Sequence, residues 1–123
     1  MNQTKNEQEN ELVQVPMPEN LYKAICINSE RNNRSTSDSI NRYLELYFDM
    51  PEAMLENVKD CIDKSLEGLR ENNPTVLIKF SIRPDLRERL AKQCAIENIS
   101  ETEYICKAAV EATTLTRVEC RLF

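Results

Sequence analysis

The chain contains no histidine and a single glycine, and both shortages restrict the chemistry that it can perform. Histidine is the usual proton shuttle in enzymes and the commonest metal ligand. Loops that cradle phosphates in P-loop and dinucleotide-binding proteins need several glycines, whereas this chain has only Gly68. No spacing of lysines or carboxylates points to another catalytic site. We therefore expect a protein that is not an enzyme and that uses no metal or cofactor.

Signals for disulfides and for membranes are also missing. The five cysteines are widely spaced and form no Cys-x-x-Cys pair, so we expect reduced thiols, mostly buried as small hydrophobic residues. The N-terminus has neither the basic start nor the apolar stretch of a secretory signal, and no apolar run is long enough to span a bilayer. The sequence predicts a cytoplasmic protein with no membrane partner.

The residues that are present favour a helix-rich protein. Tryptophan is absent, Phe and Tyr together number seven among 123 residues, and Glu, Asn, Leu and Ile are frequent. The net charge is −5, and residues 49–73 alone carry seven acidic and three basic side chains. Residues 12–48 are balanced, with four of each sign, and residues 74–123 carry one excess positive charge. Residues 1–11 carry the remaining excess of two negative charges. The two segments 12–48 and 74–123 are therefore close to neutral, which permits nucleic-acid binding but lacks the basic surface typical of tight binders.

Two copies of one pattern occur along the chain, separated by 65 residues. Each copy begins with alternating apolar residues, Leu12 to Met17 and Leu77 to Arg83, as expected for a strand with one buried face. A proline then marks the start of a helix, at Pro18 and at Pro84. The aligned positions are Val13 with Ile78, Val15 with Phe80, Met17 with Ile82, Leu21 with Leu86, Ile25 with Leu90, Asn33 with Asn98, Ser35 with Ser100, and Ile40 with Ile105.

Two helices are predicted after the strand of each copy. The first helix ends at Asn33 or Asn98, because asparagine readily adopts the left-handed conformation that ends many helices. The second helix begins after Ser35 or Ser100, which are good N-cap residues. The predicted inward sides of the second helices consist of Ile40, Tyr43, Leu44, Tyr47 and Phe48 in the first copy, and of Ile105, Ala108, Ala109 and Ala112 in the second.

A lone strand would leave its backbone groups unpaired, so the two copies are expected to fold together. We predict a mostly α-helical protein in which the two strands form an antiparallel β-ribbon covered by four helices, as an intramolecular pseudo-dimer. The predicted organisation is a disordered tail over 1–11, a first unit over 12–49, a connecting amphipathic helix over 50–74, a second unit over 75–115 and a C-terminal tail over 116–123.

The connecting segment has a periodic apolar side and allows two interpretations. Either the helix over 51–72 packs on the two units, or it provides a surface for self-association that places two molecules side by side on DNA. Its length of about 33 Å also permits exchange of units between molecules. The apolar positions are Leu55, Val58, Ile62, Leu66 and Leu69.

The two copies resemble the ribbon-helix-helix family of DNA-binding proteins, which includes the Arc, MetJ and CopG types, over most of residues 12–49 and 76–115. The stretch NNRSTSDSINRYLELYF (32–48) is similar to the turn and second helix of Arc-type phage repressors. The stretch KFSIRPDLRERLAKQCAIENISETEYICKAAVEA (79–112) is similar to plasmid copy-control repressors, and the tandem copies resemble TraY-type relaxosome proteins. The resemblance implies a sequence-specific regulator of double-stranded DNA, a transcriptional repressor in a bacterial cell or phage-infected host, with its β-ribbon in the major groove.

The resemblance also implies which residues contact DNA. Strand residues that face away from the helices would contact base edges, and the second copy is the stronger reader because polar donors alternate along its strand. The predicted base-reading residues are Gln14, Lys79, Ser81 and Arg83. Phosphates would be held where each second helix begins. The predicted phosphate-contacting residues are Arg34, Ser35, Thr36 and Ser100.

Several residues depart from the family pattern and keep alternatives open. Pro16 occupies an outward strand position and is expected to remove one hydrogen-bond donor from the ribbon. Glu101 and Glu103 place negative charge where a phosphate would approach. The first alternative is a relaxosome accessory that bends DNA at a plasmid transfer origin. The second is a protein-interaction module that has kept the fold and lost DNA binding, with an ordinary solvated strand face.

Overall fold

The computed structural model describes residues 10–115 of the chain. The tail predicted over 116–123 lies outside this range, as do residues 1–9 of the tail predicted over 1–11. The prediction of a mostly helical protein with a two-stranded antiparallel sheet is confirmed. The elements are β1 (Glu11–Pro18), α1 (Glu19–Arg31), α2 (Thr36–Phe48), α3 (Glu52–Asn72), β2 (Thr75–Ile82), α4 (Pro84–Glu97), α5 (Glu101–Val110) and a π-helical turn (Glu111–Leu115). A strand followed by two helices therefore occurs twice, and α3 joins the two occurrences.

The two strands pair with each other about a central pair of residues. Gln14 lies directly opposite Lys79, and the pairing runs from Glu11 opposite Ile82 to Pro18 opposite Thr75. The shift of 65 residues that aligns the two copies also maps Gln14 onto Lys79. An approximate two-fold axis through this central pair consequently relates the two strands.

The turns between the helices form as the asparagines and serines predict. Asn33 and Asn98 have φ angles of 55° and 58°, in the left-handed region that asparagine tolerates better than most residues. Ser35 and Ser100 are the N-caps of α2 and α5, and each side chain accepts a hydrogen bond of 3.0 Å from a backbone N–H three residues later. Each cap satisfies one of the free N–H groups of the first helical turn.

The apolar face of the ribbon and the helices share one core. Val15, Met17, Ile78 and Phe80 of the ribbon are at most 6% exposed. The helices contribute the predicted inward residues, with Phe48 and Ala112 only partly buried at the edge of the core. The described helices include none that is long and apolar enough to cross a membrane.

The connecting helix α3 packs within the chain. Ile62 and Leu66 are each 1% exposed in the core, and Leu55, Val58 and Leu69 pack against it. The structure agrees with the first interpretation of this segment, in which the helix packs on the two units. Self-association through 51–72 stays a prediction, and it would have to use the exposed side of α3.

Two details of the strands differ from the predictions. The second strand ends at Ile82, and Arg83 is instead the N-cap of α4, because Pro84 at the first helical position fixes the start of that helix. The first strand begins at Glu11, one residue before the predicted unit.

Each second helix covers part of one outer edge of the ribbon. The N–H of Ser81 donates to Oγ of Ser37 at 2.9 Å, and its carbonyl accepts from Nδ2 of Asn41 at 2.7 Å. Both backbone groups of Ser81 therefore point away from β1, and in an antiparallel pair the same holds for Pro16 in the opposite strand. The expected loss of a ribbon hydrogen bond at Pro16 is wrong, since its nitrogen faces the outer edge.

The cysteines are partly as predicted. No disulfide occurs among residues 10–115, where Cys94 and Cys106 are buried and Cys61 is exposed. Burial raises the pKa of the Cys94 and Cys106 thiols to about 11. These two thiols remain protonated at neutral pH and pack as small hydrophobic groups.

Candidate nucleic-acid interface

The outward face of the ribbon presents the predicted strand residues to solvent. Gln14 and Lys79 are exposed and lie opposite each other at its centre. Leu12 and Leu77 are 62% and 61% exposed and lie on the same face, on either side of that pair. A polar centre flanked by apolar side chains offers hydrogen bonds to base edges and contacts for thymine methyl groups.

Ser81 lies opposite Leu12 near the end of this face and is half-buried. Ser37 and Asn41 of α2 hold both of its backbone groups, so its position relative to that helix is fixed. A hydrogen-bonding side chain on a fixed backbone suits the recognition of a base edge. Ser81 therefore has the rigidity that a reading residue requires, with a smaller accessible surface than Lys79.

Arg83 is the predicted reader that the structure places apart from the other three. Its guanidinium donates to Glu45 Oε2 at 2.5 Å and to both carboxylate oxygens of Asp85 at 3.2 Å. The same bond to Arg83 holds the pKa of the Asp85 carboxyl below its usual value. Two carboxylates already pair with this side chain, so contact with a base would require it to leave both ion pairs.

Replacing Arg83 by alanine is expected to change the affinity for a DNA site by less than about threefold, because the side chain must leave two carboxylates before it can reach DNA. Fluorescence anisotropy with a labelled duplex would measure the change, with Lys79→Ala as the comparison. A loss of more than about tenfold would show that Arg83 contacts the DNA.

The start of α2 combines a helix N-terminus with positive side chains. Arg34 is exposed and directly precedes the N-cap Ser35, and Thr36 is the first residue of the helix. Arg34, Arg42 and Arg83 line a depression of about 400 Å³ beside this helix start, together with Asp38 and Glu45. Helix N-termini and arginines both attract phosphate, so the predicted anchor at Arg34, Ser35 and Thr36 has suitable chemistry.

The start of α5 has the same backbone geometry and different charges. Ser100 caps the helix, and the two glutamates that were expected to repel phosphate are each held by an arginine. Arg87 donates to Glu101 at 2.8 Å, and Arg70 donates to Glu103 at 2.6 Å. These ion pairs reduce the expected repulsion and leave α5 the weaker of the two anchors.

Ser37 and Asn41 are site residues that the sequence patterns do not reveal. Asn41 is 5% exposed and joins α2 to the end of β2. The shift of 65 residues aligns Asn41 with Cys106 and Ser81 with Pro16, but this alignment alone does not predict a contact. The Cys106 thiol lies 3.8 Å from the Pro16 carbonyl, which is the counterpart of the contact between Asn41 and Ser81.

Comparisons with known proteins add nothing to this geometry. No family model, curated protein or solved structure matches the chain.

Proposed function

We propose that the chain is a sequence-specific DNA-binding regulator, a transcriptional repressor with two ribbon-helix-helix units in tandem. In this proposal the ribbon of β1 and β2 enters the major groove, and repression follows from occlusion of the site or from a change in DNA shape. A two-stranded ribbon fits the groove, which is about 12 Å wide in B-form DNA.

The observation that carries the proposal is the coincidence of the internal repeat with the strand pairing. The approximate two-fold axis passes between Gln14 and Lys79, and the N-caps Ser35 and Ser100 are related by the same shift. A two-fold reader is suited to a palindromic DNA site. Because Gln14 and Lys79 differ, the expected site is only partly symmetric, with adenine favoured near Gln14 and guanine near Lys79.

Selection from a random duplex library, followed by binding to the enriched sequences over a series of salt concentrations, tests this function. We expect enrichment of a partly symmetric site whose affinity falls steeply with salt, because phosphate contacts release counterions. A folded protein that enriches no sequence would contradict the proposal. A relaxosome accessory would use the same interface, and its enriched sequence would then match a site in a plasmid transfer origin.

A protein-interaction module is the second candidate, and one groove favours it. Tyr22, Cys26 and Ile27 of α1 face Leu77 and Lys79 of β2 across an open groove of about 780 Å³ with a mainly apolar lining. The pairing pattern directs the backbone groups of Leu77 and Lys79 toward this side of the ribbon. An extended peptide could add to such an edge. Absence of DNA enrichment would favour this function.

A further inference from the structure

A further cavity, of about 550 Å³, lies among helices α2, α3, α4 and α5, and no ribbon residue lines it. The rings of Tyr47, Phe48 and Tyr104 are part of its wall. Tyr47 meets Tyr104 edge to face at 5.2 Å between ring centroids, and Phe48 stacks on Tyr104 at 5.4 Å. The volume falls within the range of about 300–1,000 Å³ that is usual for small-molecule sites.

Two hydroxyls of this wall have no partner within the described part of the chain. Tyr104 is 2% exposed and Tyr47 is 8% exposed, yet the hydrogen bonds of residues 10–115 include neither hydroxyl. Tyr43, by contrast, donates to Asn28 Oδ1 at 2.6 Å. Among the described residues, every solvent-inaccessible side-chain oxygen or nitrogen has a hydrogen-bond partner. The two hydroxyl oxygens have none, so they must be accessible to solvent. The space that both residues line is this cavity, and buried phenols usually find a partner.

The charges around the cavity favour a cation. Four carboxylates line it, against two ammonium groups, and Lys107 is already paired with Asp63 at 3.3 Å. Burial, followed by the charges of Glu97 and Asp63, raises the pKa of Tyr47 to about 12, and burial and Glu97 also raise the pKa of Tyr104. The lining carboxylates are Glu52, Glu56, Asp63 and Glu97, and the lysines are Lys59 and Lys107.

The aromatic cluster already contacts one cation, Arg89, which does not line the cavity. The Arg89 guanidinium lies 4.7 Å from the centre of the Phe48 ring. Aromatic faces attract ammonium and guanidinium groups through their quadrupole. The inner side of the same cluster offers rings, two free phenol oxygens and excess negative charge, which together are suited to an organic cation.

We propose that this cavity binds a small organic ammonium ion of the arylalkylamine class. The ammonium group donates hydrogen bonds to the hydroxyl oxygens of Tyr47 and Tyr104 and is balanced by the carboxylate of Glu97. The apolar body of the ligand packs against the side chains of Leu55 and Ile62, which also line the cavity. This site is separate from the ribbon, and its existence does not depend on DNA binding.

Titration of the ¹³C-tyrosine-labelled protein with phenethylammonium chloride, followed by NMR of the tyrosine rings, tests the proposal. We expect saturable shifts of Tyr47 and Tyr104. The neutral analogue 2-phenylethanol should bind at least about tenfold more weakly, a difference of about 1.4 kcal/mol. Equal affinities for the two compounds, or shifts that do not saturate, would overturn the proposal.

Two variants separate a ligand site from a structural cluster. Glu97→Gln should weaken phenethylammonium binding at least about fivefold, whereas Glu88→Gln should not change it, because Glu88 lies on the same helix beside Lys92 and outside the cavity. Tyr104→Phe should weaken binding without lowering Tm, because the hydroxyl has no protein partner to lose. A Tyr104→Phe variant with lower Tm and unchanged affinity would show a structural hydroxyl and overturn the proposal.

Discussion

Replacing Lys79 by alanine is expected to weaken binding to the selected DNA site by about 5- to 150-fold and to relax the base preference near the centre of the site. Lys79 is the only cation on the outward ribbon face in the described residues, and it lies beside the approximate two-fold axis, opposite Gln14. Ser81→Ala should also relax base preference, whereas Gln14→Ala should have the smaller effect. Fluorescence anisotropy with duplexes that carry single base changes would measure both quantities.

Two further variants control for this result. Lys92→Ala removes an exposed lysine of α4 that pairs with Glu88, and it should change affinity by less than about twofold. Arg34→Ala should weaken binding equally for all sequences and lower the salt slope by about one, as expected for a phosphate contact. If Gln14→Ala proved more damaging than Lys79→Ala, the assignment of the second copy as the main reader would be wrong.

Replacing Asn41 by alanine is expected to lower the free energy of unfolding by about 3 kcal/mol. The amide donates to the Ser81 carbonyl at 2.7 Å and to the Ser37 carbonyl at 2.6 Å, and it accepts from the N–H of Arg83 at 2.9 Å. Alanine leaves the Ser81 carbonyl and the Arg83 N–H at the end of β2 without these partners in a half-buried place. Urea denaturation followed by circular dichroism would measure the change.

The matched control is Asn57→Ala, which removes an exposed asparagine from α3 and should destabilise the protein by less than about 0.5 kcal/mol. Asn41→Cys, which introduces the residue found at the equivalent place in the second copy, should fall between the two. A thiol can donate weakly to a carbonyl, but it is a poor acceptor for the N–H of Arg83. Equal stability of Asn41→Ala and Asn57→Ala would show that water replaces the lost bonds without cost.

The elements of the fold could be predicted because local signals agreed with one another. Alternating apolar residues marked both strands, and Asn33, Ser35, Asn98 and Ser100 marked the turns between helices. These signals depend on the backbone preferences of single residues and on the spacing of apolar residues, and both can be seen in a single sequence. The sequence also aligned Gln14 with Lys79, and the strand pairing places these two residues opposite each other.

The contacts between the two copies could not be predicted in the same way. Pro16 looked like a defect, but its nitrogen faces the ribbon edge covered by α5, where Cys106 requires no N–H from the strand. Asn41 covers the equivalent edge of β2, and there the strand keeps the N–H groups of Ser81 and Arg83. Each strand edge therefore matches the helix that covers it. Such complementarity depends on residues about 40 to 90 positions apart, which periodicity does not connect.

The most direct test of the central claim is an NMR titration of the ¹⁵N-labelled protein with the selected duplex. Entry of the ribbon into the major groove predicts that the largest amide shifts occur at Gln14, Lys79 and Ser81 and at the start of α2, near Ser35. The amides of α3 should shift little. Large shifts confined to α3 or to the groove of Tyr22 and Ile27, with the ribbon unchanged, would contradict the account.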